Sequence, residues 1–502
     1  MGTAAGIFGA AAAIHYANLG LTLTHYDARA HLVVARRVLD SLTPGWQQIG
    51  AVWLPLPHVL NALPVQVDAW YRTGASAVVI SVLSMALACG SLSVLLLRTT
   101  GSTVAAVTGA ALMLLNPNVL YLQSTPMTEP LLFGLSLLAI ALTAQWMDEH
   151  RLASTEDRVP NTEYRTPSTE YRIPAAASVA LAAACMTRYE AWPVTAAVVA
   201  LAVFVLLRRG TPWMVATRAG AALAFWPLIA VIVFSMNSRW VIGSWFVPSD
   251  FFVPENVKAI GNPAESWRQI DEGLRLLAGS VLVWSGYTGA ALLVIALIRR
   301  RSPHSVALLL AMAAAAALPM VAYLKGHPFR IRYDLPLVTA AAALAAGGIA
   351  VLHPLARLPA ATLVLAGTLL QFTPFDSSAP LVQESQRELG AMTGRRVVTT
   401  YLREHYDGTT IMMSMGSLAH YMHDLSNEGF EIRNFLHEGN GEIWRFAMLG
   451  PRGHAGWLMF ERHAEGGDAM FHASQRPRWL DGFVLVAEGG GVSLYRARLL
   501  RP

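Results

Sequence analysis

Long apolar runs recur along the chain up to about residue 375, most of them close to the roughly 20 residues a helix needs to cross a hydrocarbon layer. In lipid the backbone must satisfy its own hydrogen bonds, so such runs fold either as spanning helices or as a closed barrel. The period-two alternation of a barrel is absent. Composition agrees: of 502 residues, 54% are hydrophobic and 14% charged, with a mean hydropathy of +0.43. A soluble chain carries about 25% charge. The expected fold class is therefore a polytopic α-helical membrane protein of about eleven spans. These are placed at 5–23, 76–97, 102–121, 130–147, 174–187, 191–207, 217–237, 279–298, 304–324, 335–352 and 358–374. The first run lacks a basic n-region and reads as a retained helix rather than a signal peptide. The runs at 174–187 and 191–207 read alternatively as one interrupted helix.

The loops between these runs alternate in character. One set holds Arg98, the stretch 148–173, Arg208-Arg209, Arg299-Arg300-Arg301 and Arg357. Short arginine-bearing loops stay on the cytoplasmic side. The other set, 24–75, 116–129, 188–190, 238–278, 325–334 and everything after about 375, is then exterior. It too carries cations, including Arg29, Arg188, Lys325, Arg330 and Arg332. Cations on the translocated side run against the usual bias. They read either as incidental ion-pair partners or as ligands for an anion such as a lipid phosphate. The net charge of +5 is a poor guide to partners, because arginines in such a chain serve topology first. Cys89 and Cys185 fall in apolar runs and read as free thiols. The repeat Thr162-Glu163-Tyr164-Arg165, Thr169-Glu170-Tyr171-Arg172 is interrupted by prolines and reads as a linker rather than a coiled coil.

The first exterior loop is long. Residues 27–39 read as an amphipathic helix ended by Ser41-Leu42-Thr43-Pro44-Gly45, and the segment after Trp53-Leu54-Pro55-Leu56-Pro57-His58 reads as a second interfacial helix. The loop with Trp245, Phe246 and Trp267 looks similar, with a helical pattern over 266–277. From about 376 charges and histidines rise. A polar helix over 384–404, strands at 410–415 and 456–460, a helix at 418–425 and a hairpin around Gly489-Gly490-Gly491 describe a small α/β domain. The division is 1–375 for the membrane domain and 376–502 for an exterior α/β domain.

Polar junctions mark the exterior ends of the spans: His25-Tyr26-Asp27-Ala28-Arg29-Ala30-His31, Thr128-Glu129-Pro130, Arg188-Tyr189-Glu190 and Lys325-Gly326-His327-Pro328-Phe329-Arg330-Ile331-Arg332-Tyr333. The topology brings all of them to one side. A carboxylate at a helix mouth is costly to desolvate, so its presence there asks for a role. In order and placement, with Arg332-Tyr333-Asp334-Leu335-Pro336, these junctions resemble the GT-C glycosyltransferases. The similarity is nearest to the protein O-mannosyltransferase and aminoarabinose transferase types, and covers most of 20–350. It departs from the mannosyltransferase pattern where Ala28, not an acid, follows Asp27.

The resemblance implies a hexosyl- or pentosyltransferase that takes a sugar from a polyprenyl-phosphate donor to a glycan, lipid or protein acceptor. The expected setting is the exterior face of a bacterial inner or plasma membrane. It also implies a lipid bilayer as partner, and no nucleic acid. A hydroxyl is a poor nucleophile, so a carboxylate must take its proton. Asp27 is the candidate base and Glu129 the second catalytic candidate. The leaving lipid phosphate needs preorganised cations. Arg188, Lys325, His327, Arg330, Arg332 and Tyr333 are the donor-binding candidates, and His31, His58 and Glu190 the acceptor or supporting ones. Direct attack with one base inverts the anomeric centre. Some relatives use a divalent cation. His25, Asp27, His31 and Glu129 offer donor atoms for one, without a metal-specific spacing.

Plainer readings stand beside these. Asp27 suits a helix N-cap. Glu129 suits a helix N-terminus by charge alone. Glu190 and Asp334 suit local pairing with Arg188 and Arg332, and His58 suits a solvated interface histidine. Asp250 and the His420/His423 pair carry weak signals. No Walker or dinucleotide motif is present, which disfavours a soluble nucleotide-sugar donor. The competing functions are a transporter or flippase of lipid-linked saccharides and a non-catalytic membrane subunit. A transporter should show charges deep in its helices and inverted repeats; few of the former and none of the latter are seen.

Overall fold

The computed structural model describes residues 1–156, 174–246, 255–299, 304–387, 389–464 and 467–498. The Thr162–Arg172 repeat, Asp250, Arg300 and Arg301 lie outside the described residues. Each apolar run carries helix, but the span expected at 102–121 is two helices, Thr103–Leu114 and Pro117–Leu122, separated at Asn116, whose side chain caps the second. The helices are Gly2–Asn18, Ala75–Thr100, Thr103–Leu114, Glu129–Glu156, Ala175–Cys185, Ala191–Arg208, Trp213–Val241, Pro263–Arg299, Leu335–Val351 and Pro354–Gln371, with a 3₁₀ stretch His304–Ala316 that continues as Ala317–Leu324. Among the described residues, seven helices are long and apolar enough to cross a membrane, and Thr103–Leu114 and Ala175–Cys185 are shorter apolar helices. Gly2–Asn18 and Pro354–Gln371 fall outside both sets. The chain is a polytopic helical membrane protein with a small C-terminal sheet domain. The helices Ala175–Cys185 and Ala191–Arg208 are separate, joined by the tight turn that carries Arg188 and Glu190.

Two ends of the bundle are distinguished by their polar contacts. At one end Arg209 pairs with Asp148 at 2.8 Å, Ser305 donates to the same carboxylate, and Arg208 donates to the Leu297 and Ile298 carbonyls. At the other lie Asp27, Glu129, Arg188 and Arg332. Glu129 and Asp148 stand on one helix, about 28 Å apart at 1.5 Å per residue. That matches the hydrocarbon thickness of about 30 Å, so the two loop sets sit at opposite faces of the bundle.

Helix Leu335–Val351 is almost entirely buried and packs on Pro263–Arg299 through small residues. A Cβ added at Gly289 would stand 2.1 Å from the Leu344 carbonyl oxygen, and one at Gly348 would stand 2.5 Å from the Gly289 Cα. Pro263–Arg299 changes direction at Gly279, whose φ of 75° needs a residue without Cβ. The exterior helix and the span expected at 266–277 and 279–298 are thus two segments meeting at one glycine.

The C-terminal strands are β1 (Ile411–Met413), β2 (Phe435–Leu436), β3 (Trp457–Glu461), β4 (Phe483–Gly489) and β5 (Val492–Ala497). They form a five-stranded sheet in the order β2-β1-β3-β5-β4, parallel across β2-β1-β3 and antiparallel across β3-β5-β4. The expected strands, hairpin and 418–425 helix are present, the last as Met415–Leu425. The short edge strand β2 was not expected. The helix placed at 384–404 is two, Pro380–Gln386 and Leu389–His405.

One face of this domain is completed from far away in sequence. Ala30, Leu32, Val33, Val34 and Ala35, on the helix Tyr26–Arg36, share one buried apolar cluster with Leu402, Ile411, Met413, Leu418, Met422 and Trp457. The helix that carries Asp27 is therefore part of the sheet domain's core.

Candidate active site

Asp27 lies in the first turn of Tyr26–Arg36. The N-cap is His25, whose Nδ1 accepts from the Asp27 N–H at 3.2 Å. The expectation that Asp27 itself caps the helix is corrected: its carboxylate is free to point elsewhere. It pairs with Arg332, at the start of the 3₁₀ turn Ile331–Asp334. Arg332 Nε also stands 3.3 Å from Glu129 Oε1. Arg188 approaches the same oxygen at 3.1 Å, and binds Glu190 at 2.7 Å and the Thr128 hydroxyl at 3.1 Å. The result is one chain of alternating charge, Asp27–Arg332–Glu129–Arg188–Glu190. It joins the polar junctions after the first run, before the helix Glu129–Glu156, in the 186–190 turn and before Leu335–Val351. The pairing of Glu190 with Arg188 is as expected. The pairing of Asp334 with Arg332 is not: Asp334 is fully buried against Gly273, and neither oxygen has a hydrogen-bond partner among the described residues.

Exposure separates the roles. Glu129 is 0% exposed and Glu190 1%, whereas the Asp27 side chain is 18% exposed and those of Arg188 and Arg332 13%. Glu129 accepts no aligned hydrogen bond among the described residues; the two guanidiniums hold it at ion-pair distance. Burial alone would raise the Asp27 carboxyl pKa. Arg332, then His25 and His31, outweigh burial and hold it below the usual carboxylate range.

His31 stands one helical turn beyond Asp27 on the same face. Its Nδ1 is 3.0 Å from His58 Nε2, and His58 Nδ1 is 3.1 Å from the Leu54 carbonyl oxygen. A carbonyl only accepts, so His58 donates from Nδ1 and takes the His31 N–H at Nε2. Trp53 packs on His31, with ring centroids 4.2 Å apart. His58 is 1% exposed, which corrects its reading as a solvated interface residue. Burial lowers His58 to about 3, against the Leu54 hydrogen bond, and burial and then Arg332 lower His25 to about 3. His31 is likewise well below its ordinary value, through burial and then His58.

The remaining donor-binding candidates line one loop. His327 Nδ1 bonds the Pro328 carbonyl at 3.0 Å and its Nε2 faces the Tyr333 hydroxyl at 3.4 Å. Lys325 is exposed and makes no ion pair among the described residues; Arg330 is half-buried. No group of three or more His, Cys, Asp or Glu that would hold a metal occurs among the described residues. The Arg332 guanidinium stands between Asp27 and Glu129, so His25, Asp27 and Glu129 do not fit a cation there. His420 and His423 serve structure: His420 meets Arg395, and His423 Nε2 is 2.9 Å from the Tyr71 carbonyl.

Sequence reasoning missed Thr128, visible only as the neighbour of Glu129, and the ties that hold the Asp27 helix. Arg29, 1% exposed, binds Asp424 at 2.6 Å, and the Tyr26 hydroxyl donates to the Gly416 carbonyl at 3.0 Å. Asp40 accepts from the Ile432 and Arg433 N–H groups, both at 3.1 Å. Nothing local in the sequence links these distant segments.

No protein-family model matches the chain, and no curated protein sequence does either. Among solved structures the fold is similar to ArnT from Cupriavidus metallidurans bound to undecaprenyl phosphate, at a TM-score of 0.56 and 13% identity over 99% of this chain and 98% of that one. The apo state of ArnT from the same organism matches at a TM-score of 0.52 and 12% identity, over 96% of each chain. The chain thus shares its overall fold with these ArnT structures, in agreement with the fold that the sequence resemblance implies.

Proposed function

We propose that the protein is a GT-C glycosyltransferase that moves a hexosyl or pentosyl group from a polyprenyl-phosphate donor to an acceptor at the exterior face of the membrane. The observation that carries this reading is the Asp27–Arg332–Glu129–Arg188–Glu190 network. It assembles a partly exposed carboxylate and two guanidiniums, from loops far apart in sequence, at one end of the bundle. The likeness to ArnT, solved with undecaprenyl phosphate, supports the donor class.

Asp27 takes the proton of the acceptor hydroxyl as its oxygen attacks the anomeric carbon. The C1–O bond to phosphate breaks, and the lipid phosphate leaves with the electron pair. A single attack inverts the configuration. Arg332 and Arg188 neutralise the growing charge. In the resting network both are already paired, so the donor phosphate binds by exchange: it draws the guanidiniums toward itself and loosens Arg332 from Asp27. That loosening raises the basicity of Asp27 when the donor is present. Glu129, fully buried between both guanidiniums, is a positioning residue whose charge holds the two side by side. Lys325 and Arg330 supply further positive charge at the rim.

The reading is tested by incubating purified protein in liposomes with radiolabelled undecaprenyl-phosphate sugars and, in parallel, with nucleotide sugars. Release of undecaprenyl phosphate with transfer of label supports it. Turnover of nucleotide sugars alone, or saturable binding of the lipid without turnover, contradicts it.

A further inference from the structure

Helix Glu442–Leu449 in the sheet domain buries Trp444 and Ala447 and turns Ile443, Phe446 and Leu449 outward, at 45%, 57% and 77% exposure. Three large apolar side chains left in water on one short helix form the kind of patch that marks an interaction site. The cleft beside it, about 380 Å³, is lined by Trp444, Arg445, Phe446, Met448, Leu449 and Arg476, two cations and no acid. Arg445 pairs with Glu442 at 2.8 Å yet stays 73% exposed, so its outer face is open.

The position of this helix relative to the bundle follows from hydrogen bonds. The Trp46 indole donates to Asn237, near the end of the span Trp213–Val241, at 2.8 Å. Gln48, in the same turn as Trp46, donates to the Gly439 carbonyl at 2.8 Å. Glu442 is three residues on from Gly439, at most about 11 Å of chain. Trp46, Trp240 and Trp245 are 47%, 78% and 58% exposed at this level. Exposed tryptophans at the end of a span mark the headgroup region. Two hydrogen bonds and a few residues therefore bring the start of the helix close to the membrane surface.

We propose that helix Glu442–Leu449 lies in the surface of an anionic bilayer leaflet, at the active-site end of the bundle, and anchors the sheet domain there. Ile443, Phe446 and Leu449 enter the headgroup–acyl boundary, and Arg445 and Arg476 meet lipid phosphates. An in-plane helix of this kind inserts about 5–10 Å. Basic residues beside it add attraction to anionic lipids, which salt screens. The anchor does not depend on the transfer reaction.

The test places an environment-sensitive fluorophore on F446C, and separately on L449C, in full-length protein in liposomes; both positions are exposed, and Cys89 and Cys185 are buried. In phosphatidylglycerol liposomes the expected result is emission shifted to shorter wavelength and quenched by lipids carrying a nitroxide on the acyl chain. Arg445→Gln with Arg476→Gln weakens both effects, and so does replacing phosphatidylglycerol with phosphatidylcholine. Emission as in water with no lipid quenching at either position overturns the proposal. So does cross-linking of the two label sites between protein copies, which would make the patch an interface with a second copy.

Discussion

Arg332 is shared between Asp27 and Glu129, and together with Arg188 it offsets the full burial of Glu129 and the partial burial of Asp27. Removing one partner of a buried pair leaves an uncompensated charge, at a cost of about 3–5 kcal/mol. Glu129→Ala is expected to destabilise by that order, read as a lowered melting temperature in detergent, because Arg188 and Arg332 then confront each other. Arg332→Lys keeps the charge but loses the planar fork, so the expected outcome is near-normal folding with reduced turnover. Arg332→Gln should cost about 10²–10³ in turnover, the range seen when one preorganised charge-stabilising donor is lost. The histidines supply a pH signature. His25 and His58 are held at about 3 in the fold, from an ordinary 6.5. The unfolded chain therefore binds protons that the folded chain refuses between these values. Their contribution to stability is fully present above pH 6.5 and falls as pH drops toward 3. Melting temperature measured across that window should decline, and His58→Gln should flatten the decline. At this level much was legible: Asp27, Glu129, Arg188, Glu190 and Arg332 were singled out from sequence and stand in one network. What was not legible was pairing. Arg332 passes over its neighbour Asp334 for two distant acids, a choice made by tertiary packing.

The spans owe their placement to helices that approach more closely than side chains allow. Gly289 and Gly348 meet where helix Pro263–Arg299 crosses Leu335–Val351, and small residues at such a crossing let backbones pack on each other in lipid. Leu335–Val351 begins one residue after the turn that carries Arg332, so this crossing also sets the height of that side chain. Gly289→Val is expected to push the helices apart, costing more than the roughly 1–3 kcal/mol of ordinary overpacking, with loss of turnover even where protein is recovered. Size-exclusion profile and melting temperature check the first part, donor turnover the second. Hydropathy found the apolar runs because burial in lipid demands length and composition, which are local. Charges mark both divisions in the sequence: Arg188 and Glu190 interrupt the pattern before Ala191, where one interrupted helix is the open alternative, and the charged stretch Glu265 to Arg275 separates the first part of 263–299 from the apolar second part. Hydropathy set the first run too late, at 5–23 against Gly2–Asn18, since Leu19 and Leu21 remain apolar after the helix has ended.

The whole molecule is joined at the helix Tyr26–Arg36, which gives Asp27 to the membrane bundle and its apolar face to the sheet domain. Composition marks residue 376 as a boundary, yet the core of the sheet domain draws on residues 30–35, a closure between distant segments that no local pattern announces. The Arg29–Asp424 pair fixes this joint, and exchanging the charges tests it. On the proposed mechanism Arg29→Asp and Asp424→Arg should each lower kcat with little change in KM, because the helix that carries Asp27 is displaced while Arg188 stays paired with Glu190. The double exchange should recover part of the loss, measured as steady-state donor turnover. Fold and site meet in the claim that Asp27 takes the acceptor's proton. The direct measurement is single-turnover transfer from undecaprenyl-phosphate-linked sugar by wild type and Asp27→Asn, with donor binding measured on the same preparations. The account predicts unimpaired donor binding and transfer slower by about 10²–10⁴, the share that a general base contributes. Equal transfer rates in both proteins would contradict it and leave Asp27 only as the partner of Arg332.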